Sequence, residues 1–256
     1  MGVLRTPQFT FRSKPPLRRN ARAVSELNLK IAGRDVALRI RRHARARRMI
    51  LRIDPKDGAV VVTLPPYGAA DDAVRMARDR ADWIGARLDR RPAPIMFVEG
   101  GNVPVLGRDH VVRRDPRVLG ARIEAGTIVI AGRPEHTARR VRDALIRRAR
   151  DEIVRRVGEK TAQAGLKAGR IALKDTRSRW GSCAANGNLN FSWRLVMAPE
   201  FVLDYVIAHE VAHLGYHNHG PAFWRLVEVL CPGLDAARAW LRAHGATLHL
   251  YGPSSS

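Results

Sequence analysis

The first half of the chain alternates apolar and polar residues over short stretches, as half-buried β-strands do. The alternation predicts strands at 36–40, 49–53, 59–64, 103–106, 109–114, 121–124 and 127–131. Asp54–Gly58 carries turn residues and connects the second of these strands to the third. Between the third strand and the fourth, residues 69–90 repeat apolar positions at helical spacing and predict a helix.

Helical periodicity dominates the second half of the chain. Pro134 begins a long predicted helix that reaches about residue 164, and a strand pair at 170–183 and 188–195 follows it. Three shorter helices complete the chain, and they begin at Pro199, Pro221 and Leu234. The whole pattern predicts an α+β fold with a strand-rich N-terminal module, residues 23–132, and a compact core, residues 133–251.

Composition limits the class of protein. With 256 residues and 45% hydrophobic content, the chain can bury a sizeable core, and no apolar run approaches the ~20 residues of a membrane span. Residues 1–22 are basic, Pro-rich and polar, which indicates a disordered tail and not a secretory signal, and residues 252–256 are expected to be loose. Cys183 and Cys231 do not make a disulfide framework, so we expect a reducing, cytoplasmic location.

The net charge of +22 is concentrated away from the C-terminal third of the chain. The segment Arg39–Arg48 is the densest basic cluster, and its arginines suit phosphate groups. DNA or another nucleic acid is therefore a candidate partner of the Arg-rich N-terminal region. Against this hypothesis, only six of the 46 basic residues are lysine, alanine is abundant as in GC-rich genomes, and aromatic residues for base stacking are scarce.

The strongest chemical signal is His209-Glu210-Val211-Ala212-His213. Two histidines four residues apart on a helix project from one face, at a spacing that lets both imidazoles reach one small cation. The glutamate between them is placed to take a proton from water at that cation. The preceding residues form an apolar helical stripe, and burying such polar groups is costly unless a metal or other partners satisfy them. The motif predicts a zinc hydrolase.

The third metal ligand is less constrained by spacing. Gly215 is expected to end the metal helix, and His219 then lies at the start of the helix that Pro221 opens, from where it can point back. His217 lies two residues away and is an alternative ligand. Glu228 is another, because some zinc peptidases take a carboxylate from a downstream helix.

Four sequence blocks stand out when the region around this motif is considered as a whole: Arg179-Trp180-Gly181-Ser182-Cys183, Asn188–Phe191, Asp204–Glu210 and Asn218–Trp224. Together they resemble the YgjP-like branch of the SprT-type zinc metallopeptidases. The resemblance implies a zincin-like core with a long backing helix, a small sheet and the metal helix. It also implies one zinc ion held by His209, His213 and His219, Glu210 as general base, and hydrolysis of protein or peptide substrates.

Several side chains near the motif are candidates for the oxyanion donor or for substrate contacts: Tyr216, His217, Arg179 and Asn190. Residues 188–194 alternate as a half-exposed strand does, and they either pair with an extended substrate or form a plain core strand. Cys183 is either a zinc ligand or inhibitory plug, or a small buried apolar group, and the second interpretation is favoured.

An alternative function belongs to a different class. A zinc ion can be purely structural, with the basic N-terminal region binding nucleic acid or protein and no catalysis. A structural site usually closes its tetrahedron with a fourth protein ligand and has no use for a carboxylate beside an open position. Glu210 therefore favours the zinc-dependent peptidase.

Overall fold

The computed structural model describes residues 24–54, 57–90 and 92–252, so the predicted tail at 1–22 and residues 253–256 lie outside the described residues. The chain forms two compact units, which divide between Arg91 and Pro92. In the described part of the chain, no helix combines the length and the apolar character that crossing a membrane requires.

The first unit is a four-stranded sheet covered on one face by two helices. Its strands are β1 (Val24–Ile31), β2 (Arg34–Arg42), β3 (Ile50–Ile53) and β4 (Val60–Leu64), and its helices are α1 (Ala70–Asp79) and α2 (Ala81–Asp89). The strand order is β1-β2-β4-β3, with β2 and β4 parallel. Leu38, Val60 and Val62 are fully buried between the sheet and the helices.

Two features of this unit differ from the sequence prediction. The single helix expected at 69–90 is two helices, because the backbone leaves helical geometry at Arg80. The alternation also gave no separate strand for β1, which is an edge strand with mostly exposed side chains. An exposed edge strand lacks the one-sided burial that alternation detects.

The second unit begins with another four-stranded sheet and the long helix. The strands are β5 (Asn102–Val105), β6 (Arg108–Arg114), β7 (Ala121–Glu124) and β8 (Thr127–Ile130), in the order β5-β6-β8-β7. A 3₁₀ turn at Pro134–His136 leads into α3 (Thr137–Ala164). The sequence grouped these strands with the N-terminal module. In the structure, however, Val105, Val112 and Ile128 share one core with Val141 and Leu145 of α3.

A three-stranded sheet follows α3. Its strands are β9 (Ile171–Lys174), β10 (Gly181–Cys183) and β11 (Leu189–Ser192), in the order β10-β11-β9. The strand expected at 170–183 is thus two strands, separated by a loop at 175–180. β11 is the central strand, antiparallel to β10 and parallel to β9.

The remaining elements are a 3₁₀ turn (Trp193–Met197) and the helices α4 (Glu200–Gly215), α5 (Pro221–Leu230) and α6 (Leu234–Leu248). α3 packs against α4 as expected, and Arg156–Glu200 (3.0 Å) and Lys160–Asp204 (2.8 Å) join them. The fold is therefore the predicted α+β fold, with a long helix behind a largely buried α4.

The start of α4 is fixed by the turn between β5 and β6. The amide of Leu106 donates to the carbonyl of Val196 at 2.7 Å. Gly107 has φ +79° and approaches Pro199 so closely that a Cβ would lie 3.0 Å from its Cα. Glycine is suited to this position because it tolerates both the left-handed conformation and the close contact.

Candidate active site

Three histidines converge at the C-terminal part of α4. His209 and His213 lie one turn apart, with ring centroids separated by 4.9 Å. His219 reaches them from the turn before α5, and its ring centroid lies 5.1 Å from that of His209 and 4.8 Å from that of His213. One ring nitrogen from each lies within 4.8 Å of the others. Among the described residues, no other group of three His, Cys, Asp or Glu side chains has this spacing.

The donor atoms suit a tetrahedral metal ion. Nε2 of His219 lies 3.2 Å from Nε2 of His209, close to the ~3.3 Å that bonds of ~2.0–2.1 Å impose on neighbouring ligands of a tetrahedral zinc ion. His213 hydrogen-bonds through Nδ1 to the carbonyl of Tyr216 at 3.0 Å, which leaves its Nε2 for a metal. Burial and the neighbouring His213 and His219 lower the pKa of His209 to about 4. Neutral rings with free lone pairs are what a cation requires.

The aromatic residues of α5 support the histidine rings. The ring centroid of Phe223 lies 5.0 Å from that of His209, 4.6 Å from His213 and 4.7 Å from His219. Trp224 stacks on His219 with a centroid separation of 5.7 Å. The role of Phe223 was not predicted from the sequence, although its fully buried side chain limits how the imidazoles can turn. The signal was its place in the block Asn218–Trp224.

Glu210 lies beside the histidines with only 6% of its surface exposed. Burial raises the pKa of its carboxyl to about 7, against the opposing effects of the Arg179 charge and the backbone N–H of Cys183. A Cβ on Gly181 would lie only 2.5 Å from Cγ and Oε1 of Glu210. The carboxylate thus fits against β10 because position 181 has no side chain.

A cavity of about 270 Å³ opens at this place and is lined by Gly181, Ser182, Cys183, His209, Glu210, His213 and His217. Cys183 is half-buried at its wall, packs against the hydrophobic core and lies outside the group of histidine donor atoms, which favours its interpretation as a small packed side chain over that of a zinc ligand. Burial and the nearby Glu210 raise the pKa of its thiol. The arrangement brings three histidine side chains, a buried carboxylate and the strand β10 to one cavity.

A family model described as "YgjP-like, metallopeptidase domain" matches residues 47–244, which include the triad, Glu210 and all three strands of the sheet beside them. The chain belongs to the YgjP-like metallopeptidase family. This YgjP-like metallopeptidase is an enzyme, a peptidase that requires a metal cofactor and acts on protein or peptide substrates. The family and enzyme class expected from the sequence are confirmed.

Two solved structures are similar to parts of this YgjP-like metallopeptidase. They are the metallopeptidase zymogens of Pyrococcus abyssi abylysin and Methanocaldococcus jannaschii jannalysin, each 20% identical with a TM-score of 0.33. The first covers 36% of this chain and 92% of its own, and the second covers 37% and 96%. No curated protein matches the sequence.

The four residues predicted as oxyanion donors or substrate contacts lie at different distances from the cavity, and only His217 lines it. Tyr216 follows α4 directly, with its side chain 42% exposed, and His217 lines the cavity. Arg179 is exposed two residues before Gly181. Asn190 is half-buried on β11 and donates to Oγ of Ser182 at 3.4 Å.

Glu228, the alternative carboxylate ligand, lies outside the triad. It is exposed on α5 and accepts a hydrogen bond from the amide of Gly233 at 3.4 Å. The spacing of donor atoms therefore favours His219 as the third member of the group.

The proposed pairing of an extended substrate with residues 188–194 is wrong. β11 is hydrogen-bonded on both sides, to β10 and to β9, and has no free edge for another strand. β10 is the edge strand, and it also lines the cavity. Alternation identifies a strand but does not give its position in a sheet, which depends on pairing between distant segments.

Proposed function

We propose that the chain is a zinc-dependent metallopeptidase that binds one zinc ion through His209, His213 and His219, with Glu210 as general base. The proposal rests on one observation above all, the buried carboxylate of Glu210 beside three histidines whose donor atoms lie within 4.8 Å of one another. Both cysteines carry free thiols, which agrees with the reducing, cytoplasmic compartment that we propose.

Bound zinc supplies Lewis acidity, which polarises a carbonyl group and lowers the pKa of water to about 7. Glu210 then has two tasks, to accept a proton from the attacking water and to pass it to the leaving amine. A carboxyl whose pKa is raised by burial suits both, because proton transfer in either direction is nearly balanced near neutral pH. His217 and Arg179 are candidates to stabilise the oxyanion.

The substrate is proposed to bind as an extended strand along β10. Among the described residues, β10 pairs with no strand other than β11 and lines the cavity, where the backbone N–H of Cys183 donates to Glu210. Strand addition would place a peptide carbonyl next to Glu210 and the triad through main-chain hydrogen bonds, with little dependence on side chains.

The alternative of a structural zinc site with no catalysis is disfavoured by the same geometry. The triad offers three donor groups and leaves a cavity on the side of Glu210. Cys183, the one cysteine at the cavity, does not belong to the group of donor atoms within 4.8 Å of one another.

The test is Glu210→Gln, which preserves shape and removes the proton acceptor. We expect unchanged zinc content and a loss of unfolded-protein cleavage of at least about a hundredfold. Glu228→Gln, an exposed glutamate on α5, is the matched control and should cleave like the parent. Equal cleavage by Glu210→Gln and parent would refute the peptidase mechanism, and zinc bound elsewhere would refute the ligand assignment.

A further inference from the structure

A cationic surface lies at one end of the first unit's sheet. The connection 43–49 joins β2 to β3, which lie on opposite sides of β4, so it must cross the end of β4. The amide of His43 donates to the carbonyl of Leu64 at 3.0 Å and ties the connection to that end. β4 continues there into the turn Pro65–Gly68. Two loops distant in sequence thus become neighbours.

The end of β2 and the first of these loops carry arginines without acidic partners. Arg42, Arg45, Arg47 and Arg48 are all exposed, and none forms an ion pair with a residue that the structure describes. The sequence contains no acidic residue between Asp35 and Asp54. Each guanidinium is therefore available to an external anion.

Other arginines of this unit do have acidic partners, and Arg39 is an example. It lies on β2 in the same unit, and it contacts Asp57 at 2.7 Å and Glu26 at 3.2 Å. Arg34 likewise pairs with Asp89 at 2.5 Å. Two acidic residues, Asp71 and Asp72, lie in the first turn of α1 just after the turn Pro65–Gly68, where Asp72 pairs with Arg75, and neither forms an ion pair with the arginines at 42–48.

The second loop adds an aromatic ring. Tyr67 lies in the turn Pro65–Gly68, and its side chain is 94% exposed. An aromatic ring this exposed leaves its apolar faces in water, which is unfavourable unless a binding partner covers them. We name the four arginines and Tyr67 together the cationic rim.

We propose that the cationic rim binds single-stranded nucleic acid, with the arginines on phosphates and Tyr67 stacked on an unpaired base. Arginines spaced along a loop suit a string of phosphates, and exposed aromatic rings stack on bases of any sequence. The rim is formed by loops, with no helix placed to enter a major groove, which favours a single strand over a duplex. An acidic protein would also satisfy the arginines, but the combination of several unpaired arginines with an exposed ring matches the alternating phosphates and bases of a single strand.

The rim can be tested in the full-length protein with a fluorescein-labelled oligothymidylate, by fluorescence anisotropy over a range of salt concentrations. We expect Arg45→Ala/Arg47→Ala/Arg48→Ala to weaken binding by more than about tenfold at low salt. The slope of log Kd against log salt should fall by about 2, because each phosphate contact on a single strand contributes about 0.7.

The matched control is Arg75→Ala/Arg78→Ala/Arg87→Ala, which removes the same charge from exposed positions on α1 and α2 of the same unit. It should bind almost as tightly as the parent. Equal weakening by the two triple variants would mean that net charge alone governs binding, and this would overturn the assignment of the rim.

Stacking is tested separately at Tyr67. Tyr67→Ala should weaken oligothymidylate binding by about tenfold without changing the salt slope, whereas Tyr67→Phe should bind like the parent. Two further outcomes would overturn the proposal: tighter binding of a duplex than of its single strand, or binding of polyglutamate with the same dependence on the three arginines. These measurements do not involve catalysis, so their result is independent of the peptidase proposal.

Discussion

At the scale of single residues, the position of the Glu210 carboxylate depends on the absence of a side chain at Gly181. Glu210 fits against β10 because Gly181 has no Cβ. From the sequence, Gly181 stood out only as part of a family block. The need for glycine at a position with ordinary backbone angles is visible only when its neighbour in space is known.

Gly181→Ala should therefore displace the carboxylate of Glu210. A methyl group 2.5 Å from Cγ and Oε1 forces a shift of roughly an ångström, and such misplacement lowers turnover by about tenfold to a hundredfold. Steady-state kinetics should show a lower kcat with unchanged zinc content. Gly158→Ala, in the open middle of α3, should keep full activity and raise stability by about 0.5–1 kcal/mol. Normal kcat in Gly181→Ala would show that the position of Glu210 is not critical.

His219 and His217 provide a second comparison between neighbouring residues. His219 belongs to the triad, whereas His217 only lines the cavity. We expect His219→Ala to lose zinc to a chelator at a much lower concentration than the parent, because two imidazoles remain. His217→Ala should retain zinc like the parent. Elemental analysis after dialysis against graded chelator measures both, and the opposite order would assign the third ligand to His217.

The residues of the candidate site were predictable from sequence to different degrees. His209, Glu210 and His213 follow from helical spacing alone, since four residues bring side chains to one face. His219 required the topology of a turn, and spacing left His217 and Glu228 as alternatives. The support of the rings by Phe223 and of Glu210 by Gly181 needed three-dimensional packing.

At the scale of elements, the loop before β10 is held by the end of α6. Trp180 stacks on His249 with a centroid separation of 5.0 Å. Arg194, fully buried, bonds to Asp175 at 2.6 Å and to the carbonyl of Tyr251 at 2.6 Å. These contacts position the segment that leads to Gly181, and none of them follows from local sequence.

This link gives a pH dependence of stability. Burial and the nearby Arg194 and Arg177 lower the pKa of His249 from 6.5 to about 4. Because the folded-state pKa of His249 is below its unfolded value, the contribution of the neutral ring to the free energy of unfolding is complete above pH 6.5 and is lost as the pH falls toward 4. Urea denaturation at several pH values should show a shallower loss for His249→Phe, which keeps the stack. His244→Phe, exposed on α6, should follow the parent.

Elements with one buried face were predicted well, and those defined by long-range pairing were not. β2, β3, β4 and the helices α3 to α5 appear close to the expected positions. β2 and α5 have a periodic apolar face, whereas α4 is buried on nearly all sides and was marked by Pro199 and its apolar residues. The order β10-β11-β9 and the division of 170–183 into two strands depend on partners far away in the chain. The wrong assignment of the substrate strand to β11 has this origin.

At the scale of the whole molecule, the cationic rim and the candidate active site belong to different units. The triad, Glu210 and the core that supports them lie within residues 92–252, and the cationic rim lies before Arg91. The sequence placed the boundary at 132, because strands of both sheets look alike locally. Burial against α3 is what assigns β5–β8 to the second unit.

The division predicts that residues 92–256 alone fold and bind zinc. All the core residues packed around α3 and α4 belong to this unit, so removal of residues 1–91 deletes no residue of that core. We expect cooperative thermal unfolding, one zinc per chain and cleavage of unfolded protein within about threefold of the parent, but loss of the tight binding to oligothymidylate. A fragment that folds and binds zinc yet keeps parental oligonucleotide affinity would place nucleic-acid binding in the second unit. A fragment that fails to fold would show that the two units are one cooperative structure, as the family match across 47–244 permits.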